Sequence, residues 1–176
     1  MYDKDVASKL TAMGQTIMRR ERAGLSPGQR ELIASFVSKL NECKFCCDSH
    51  AACAQEFLGN ELVNEVVHQC NVETLPMRFR ALLVIAACVQ GLDREHLASA
   101  VADAKEFGAS DEEIHDTVLV TSFFCMCNRY VDGLGTTYRQ GEPEEGGRSL
   151  AAYGYTMGIR RFVREVLPKL WSRFWA

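Results

Sequence analysis

Three things are scarce in this sequence, and each absence removes a class of protein. No apolar run approaches the roughly 18 residues that a membrane span needs, so none is expected. Positive charge is not in excess: 20 Lys and Arg against 23 Asp and Glu give a formal charge of −3 and a pI near 5.8. A nucleic-acid-binding surface would call for the opposite balance, and no nucleic-acid partner is expected. Strand signals are nearly missing too, with no sustained apolar/polar alternation and no Asn-Gly or Asp-Gly turn between β-rich runs. The expected fold class is therefore all-α. The N-terminus, MYDKDVASKL, is charged from the start and lacks the apolar stretch and small-residue cleavage site of a signal peptide, so a cytoplasmic location is expected.

What is present fits one domain: 176 residues, 47% hydrophobic and 24% charged, enough to bury a core. Helix punctuation divides it. A first amphipathic helix is expected over roughly 3–22, ending at Gly24. Ser26-Pro27-Gly28-Gln29 then reads as a capping box with proline in the first turn. The second helix carries Leu32, Ile33, Phe36, Val37 and Leu40 at the spacing of one buried face and should stop near Asn41. A third runs from about 43 to 57 with Gly59 as its stop. Asn60 is expected to cap a short fourth helix reaching about Cys70. Two more are expected near 75–90 and 94–107. Ser110 and Glu113 form a second capping box that opens a long apolar helix from Ile114 to about Tyr138. The run GEPEEGGR reads as a loop. Beyond it lies a basic tail rich in aromatics, RRFVREVLPKLWSRFWA, suited to packing against its own or a neighbouring subunit. The chain thus divides into an N-terminal helix (1–24), a core (26–138) and a loop with tail (139–176).

Eight cysteines are many for a reducing compartment, where a structural disulfide framework is disfavoured. Cys70, Cys88, Cys125 and Cys127 read as small core hydrophobes. His68, His96 and His115 are isolated, and no role is assigned to them. Within NECKFCCDSHAAC, by contrast, Cys43, Cys46, Cys47, His50 and Cys53 stand at offsets 0, 3, 4, 7 and 10, which a helix places within an arc of about 120°. Cys43 and Cys46 can close a disulfide within one turn. A helix N-terminus there would favour the thiolate, and His50, four residues after Cys46, is placed to take a proton from that sulfur or to stabilise its anion. Zinc is the rival use of such a set, although no second ligand pair follows downstream. No cofactor is implied.

The run RELIASFVSKLNECKFCCDSH, with Glu31 twelve residues ahead of Cys43, resembles the alkylhydroperoxidase D-like branch of the carboxymuconolactone decarboxylase superfamily. Its pattern of glutamate, Cys-x-x-Cys and x-x-x-His is met by Glu31, Cys43, Cys46 and His50. FFCMCNRYVDGLGTTY resembles the peroxidase-related subfamily, where Asn-Arg-x-x-Asp-Gly-Leu-Gly is common. The resemblance implies a helical bundle in which a helical hairpin carries the Cys-x-x-Cys, assembled into homo-trimers or homo-hexamers. It also implies a thiol peroxidase: Cys46 attacks a hydroperoxide substrate, Cys43 resolves the product to a disulfide, and His50 and Glu31 move protons. An external dithiol, lipoylated or thioredoxin-like, would recharge it. The sequence departs from the best-characterised members at Phe45, where they carry a second histidine, and in the extra thiols Cys47 and Cys53. Apart from the resemblance, the dithiol suits electron transfer or redox sensing equally well, and a zinc-bound structural module stays open.

Overall fold

The computed structural model describes residues 4–21, 24–136 and 138–156. Among these there is no strand, and the fold is all-α. The helices are α1 (Lys4–Arg19), α2 (Pro27–Leu40), α3 (Lys44–Leu58), α4 (Asn60–Val63), α5 (Met77–Gly91), α6 (Arg94–Glu106), α7 (Asp111–Gly133) and α8 (Glu142–Tyr153). None of them is long and apolar enough to cross a membrane.

Both capping boxes form. The Ser26 hydroxyl accepts from the Gln29 N–H at 3.3 Å while Gln29 Oε1 accepts from the Ser26 N–H at 2.9 Å. Ser110 and Glu113 do the same at 3.1 and 2.9 Å. Each box satisfies two N–H groups that a helix start leaves orphaned.

The α2–α3 hairpin turns through Asn41 and Glu42. The Cys43 N–H bonds back to the Ser38 carbonyl, and the Glu42 N–H to that of Lys39, both at 3.0 Å. This pair of bonds is a Schellman motif, which needs a left-handed residue and usually takes glycine there. Glu42 occupies it at φ 59°. The same bond that ends α2 sets Cys43 as the N-cap of α3, so the first cysteine is fixed by both helices.

The core collects Leu32, Ile33 and Val37 of α2, Leu82, Ile85 and Ala86 of α5, and Val120, Phe123 and Phe124 of α7. On the polar side, buried Asp116 of α7 accepts from Arg30 of α2 at 2.9 and 3.2 Å and pairs with Arg20. That cluster ties the α1–α2 connection to α7.

Several boundaries differ from expectation. α1 stops at Arg19, and Asn60 is the first residue of α4, with Gly59 before it as the cap. The fourth helix passes at Asn64–His68 into a π-turn. α7 ends at Gly133. The largest correction is GEPEEGGR, expected as a loop and in fact the start of α8. Glu142, Glu144 and Glu145 sit in its first turn, where they complement the helix dipole, and Pro143 suits an early position. A glycine costs about 1 kcal/mol in a helix interior, but Gly147 is required: a Cβ there would lie 2.3 Å from the Ser49 carbonyl oxygen and 2.7 Å from Ala52 Cβ. The missing side chain lets α8 lie directly on α3. The basic aromatic tail lies outside the described residues.

Cys88 is buried, while Cys125 and Cys127 are half-buried. Cys70 contradicts its reading as a core residue: it is exposed at φ 56°, with the Lys39 ammonium 3.2 Å from its sulfur. The side chains of His68, His96 and His115 are exposed.

Candidate active site

Burial separates the cysteines of α3 from ordinary surface thiols. Cys43, Cys46, Cys47, His50 and Cys53 are all buried, but they do not form the single cluster that helical spacing suggests. Different neighbours share the face among them.

Cys47 turns to α2, where the Ser35 hydroxyl donates to its carbonyl at 2.9 Å and lies 3.8 Å from its sulfur. His50 and Cys53 meet a second group. Glu31, fully buried on α2, accepts from the His50 Nδ1–H at 2.6 Å. Its other oxygen accepts from the Arg19 guanidinium at 2.6 Å and from the Tyr155 hydroxyl at 3.1 Å. Arg19 also reaches the Cys53 sulfur at 3.3 Å and the Leu150 carbonyl at 3.2 Å. Burial favours the neutral acid of Glu31, yet His50 and Arg19 more than offset it, and the carboxyl is held below its usual range. The Tyr155 phenol is pushed well up by burial and by the charge on Glu31, so it stays a donor. Since the carboxylate is ionised, the proton in its bond to the imidazole comes from Nδ1, which leaves Nε2 as the free ring nitrogen. Phe124 meets the ring edge-on at 4.4 Å and Tyr155 stacks over it at 6.4 Å, between centroids.

Cys43 and Cys46 meet α7. Asn128, 1% exposed, is held by two bonds: its oxygen accepts from Asn41 Nδ2 at 2.8 Å, and its nitrogen donates to the Ser38 hydroxyl at 3.0 Å. Gln90 of α5 in turn donates to Asn41 at 3.0 Å. One turn later on α7 stands the exposed Asp132. Cys127 stands near enough to both sulfurs for charge on one to disfavour charge on another. Phe45, between the two cysteines, packs on Tyr138 at 5.2 Å between ring centroids.

A helix N-terminus is expected to lower the thiol values, and burial overrides it. It pushes both thiols above their ordinary range, Cys43 further, with Asp132 acting in the same direction there. At Cys46 burial is opposed by hydrogen bonds from Cys43 and Asn128. Cys47, Cys53 and Cys127 are also raised by burial, Cys127 to about 11. Among the described residues no group of three or more His, Cys, Asp or Glu side chains is arranged to hold a metal ion.

Of the four expected site residues, Glu31 and His50 are bonded directly, while Cys43 and Cys46 lie earlier on the same helix as His50. His50 stands one turn beyond Cys46, but the hydrogen bond of its ring goes to Glu31. Dipole chemistry near a helix start does not account for Glu31, because the residue is buried and bonded to His50, Arg19 and Tyr155. Arg19 and Tyr155 carry no signal in the sequence: one closes the first helix and the other follows a segment that reads as a loop. Asn128 and Asp132 do carry one, in the Asn-Arg-x-x-Asp segment.

The α2–α3 hairpin of this all-helical bundle thus carries a bonded Glu31–His50 pair and, earlier on α3, the Cys43-x-x-Cys46 segment. The sequence model of the carboxymuconolactone decarboxylase family matches residues 4–62. Among solved structures, the chain is similar to an uncharacterized peroxidase-related protein from Silicibacter sp. TM1040. The two are 30% identical with a TM-score of 0.69, over 76% of this chain and 70% of that one. A second, from Ralstonia eutropha JMP134 and described as an alkylhydroperoxidase core and peroxidase-related protein, is 26% identical with a TM-score of 0.71, over 82% and 75%. No curated protein matches significantly. The chain belongs to the carboxymuconolactone decarboxylase family, in its alkylhydroperoxidase D-like branch.

Proposed function

We propose that the protein is a thiol-dependent peroxidase that reduces hydroperoxides through a dithiol/disulfide cycle of Cys46 and Cys43. The observation that carries this reading is the 2.6 Å Glu31–His50 bond one helical turn from a buried Cys-x-x-Cys. A thiol raised by burial is a poor nucleophile at rest, so it needs a base at the moment of reaction. Glu31 orients His50, and Nε2 takes the Cys46 proton. The thiolate attacks one peroxide oxygen: an S–O bond forms, the O–O bond breaks, and the alcohol leaves with the proton returned by His50. Cys43 then attacks the sulfenic sulfur, forming the disulfide and releasing water. An external dithiol, on a lipoylated or thioredoxin-like protein, restores both thiols by exchange.

The test is intact mass and thiol count on reduced protein, before and after one equivalent of an organic hydroperoxide, with the disulfide mapped. The expected product is a Cys43–Cys46 disulfide, and consumption should be saturable with a dithiol present. Cys46→Ser should abolish activity, whereas Cys43→Ser should retain one turnover. Thiols inert to hydroperoxide, or the reverse pattern in the two variants, would sink the reading. The same reading includes a homo-oligomer, supported by an apolar groove along α5 lined by Phe36, Val72, Leu83, Val84 and Ala87 and measurable by light scattering.

A further inference from the structure

Glu31 is fully buried, and its two oxygens are used differently. Oε2 accepts from His50 Nδ1 at 2.6 Å, while Oε1 accepts from Arg19 at 2.6 Å and from the Tyr155 hydroxyl at 3.1 Å. The second nitrogen of the Arg19 guanidinium donates to the Cys53 sulfur of α3 at 3.3 Å and to the Leu150 carbonyl of α8 at 3.2 Å, which fixes it between the two helices. The guanidinium also lies over the Tyr155 ring, 5.3 Å from its centroid. Tyr155 is seated on α1: its N–H donates to Gln15 Oε1 at 2.8 Å, and Gly14 leaves room for the ring, since a Cβ there would lie 2.8 Å from Tyr155 Cδ1. Arg19, its side chain only 10% exposed, is thus the arginine paired with Glu31. The neighbouring Arg20 and Arg30 are paired with Asp116 instead.

A buried group of side chains is costly unless its charges cancel. With Glu31 anionic and Arg19 cationic they cancel while the imidazole carries a single proton, on Nδ1. Without Arg19, cancellation would need one more proton from solvent, and there are two places for it. On the carboxyl, it would make Glu31 the donor to Nδ1, and the ring proton would sit on Nε2. On the ring, it would give an imidazolium protonated at both nitrogens. Either way Nε2 could no longer accept a proton. We propose that Arg19 is a positioning residue: by cancelling the buried charge of Glu31 it keeps His50 Nε2 free of a proton, ready to take the one that Cys46 gives up. The proposal rests on the dithiol cycle above, which gives His50 that task, and it extends the site to α1, a helix outside the Cys-x-x-Cys hairpin. Tyr155 adds a bond to the same oxygen but no charge, so it steadies the carboxylate and does not decide where the proton sits.

The place of the proton is read from long-range proton–nitrogen NMR correlations of the imidazole rings, on reduced protein labelled in its histidines at neutral pH. The His50 ring is assigned by its absence from the spectrum of His50→Gln. The wild type should show Nδ1 protonated and Nε2 bare. Arg19→Gln keeps an N–H donor for Glu31 but loses the charge, and Nε2 should become protonated. Arg19→Lys returns the cation and should return Nε2 to the bare state, a rescue that a merely structural role of arginine would not give. With hydroperoxide and a dithiol, Arg19→Gln should lower kcat by about 100-fold, the order of a general base, with KM little changed and activity recovered in Arg19→Lys. A protonated Nε2 in the wild type or in folded Arg19→Lys, or a bare one in folded Arg19→Gln, overturns the proposal. If Arg19→Gln does not fold, Tyr155→Phe decides, because it removes a bond and no charge. A bare Nε2 there supports control by charge, and a protonated one overturns it. Spectra as expected, with Cys46 inert to hydroperoxide, would sink the peroxidase reading and leave the role of Arg19 standing. Hydroperoxide reduction by a wild type whose Nε2 is protonated would do the opposite.

Discussion

Removing the charge of Glu31 should cost the fold more than any change of similar size on the surface. In Glu31→Gln the volume is nearly kept, so the cavity contribution is small and the electrostatics dominate. The carboxylate accepts three bonds, two of them from cationic or ring N–H groups at 2.6 Å. A glutamine oxygen can satisfy one or two of these, while its NH2 group is turned against a donor. Arg19, its side chain only 10% exposed, would keep its charge without the anion. Breaking a buried pair by removing one member costs about 3–5 kcal/mol, a large share of the roughly 5–15 kcal/mol that holds a domain together. Urea unfolding under reducing conditions measures this as a lower midpoint at unchanged slope. Acid should erode the same stabilisation. Because the folded carboxyl lies below its usual range, its stabilisation is full above the unfolded value of about 4.3 and is lost as pH falls through the folded one. The gap between wild type and variant should therefore narrow below about pH 4. A further change, Arg19→Met, should restore part of the stability, since an apolar group replaces the stranded charge. A midpoint shift worth less than about 1 kcal/mol at pH 7 would refute the view of Glu31 as a buried ionic hub.

Other consequences are independent of that cluster. Gly147→Ala places a methyl against the Ser49 carbonyl and should lower stability by about 1–3 kcal/mol, the usual cost of overpacking, as thermal unfolding would show. Leu92, 79% exposed at φ 58°, ends α5 in the left-handed region, so Leu92→Gly should stabilise by about 1 kcal/mol with no effect on the thiols. The raised Cys43, Cys46 and Cys53 thiols predict that reduced protein loses stability as pH climbs above about 8.5, because the unfolded chain releases protons there that the folded chain keeps. Flat stability between about pH 8 and 10 would contradict the burial described. In the same range, alkylation of Cys46 should go on accelerating beyond the point where an exposed thiol levels off.

Local chemistry makes much of this protein legible from its residues alone. The capping boxes at Ser26 and Ser110 and the helical spacing of Leu32, Ile33 and Val37 depend on residues within a turn or two of one another, and they form as expected. Cys43, Cys46 and His50 lie along one hairpin helix for the same reason. The α8 segment reads as a loop because its glycines speak against a helix locally, and only the close approach to α3 makes Gly147 necessary. Position along a helix also does not say which neighbour each sulfur meets: α7 for Cys43 and Cys46, Ser35 for Cys47, Arg19 for Cys53. The sequence by itself determined most of the helices, many of their ends and the face that carries the thiols, since these follow from short-range hydrogen bonding and periodicity. The tertiary structure decided that Glu31 is a buried hub. It also set burial above the helix dipole in controlling the thiols, because desolvation and pairing depend on elements far apart in the chain.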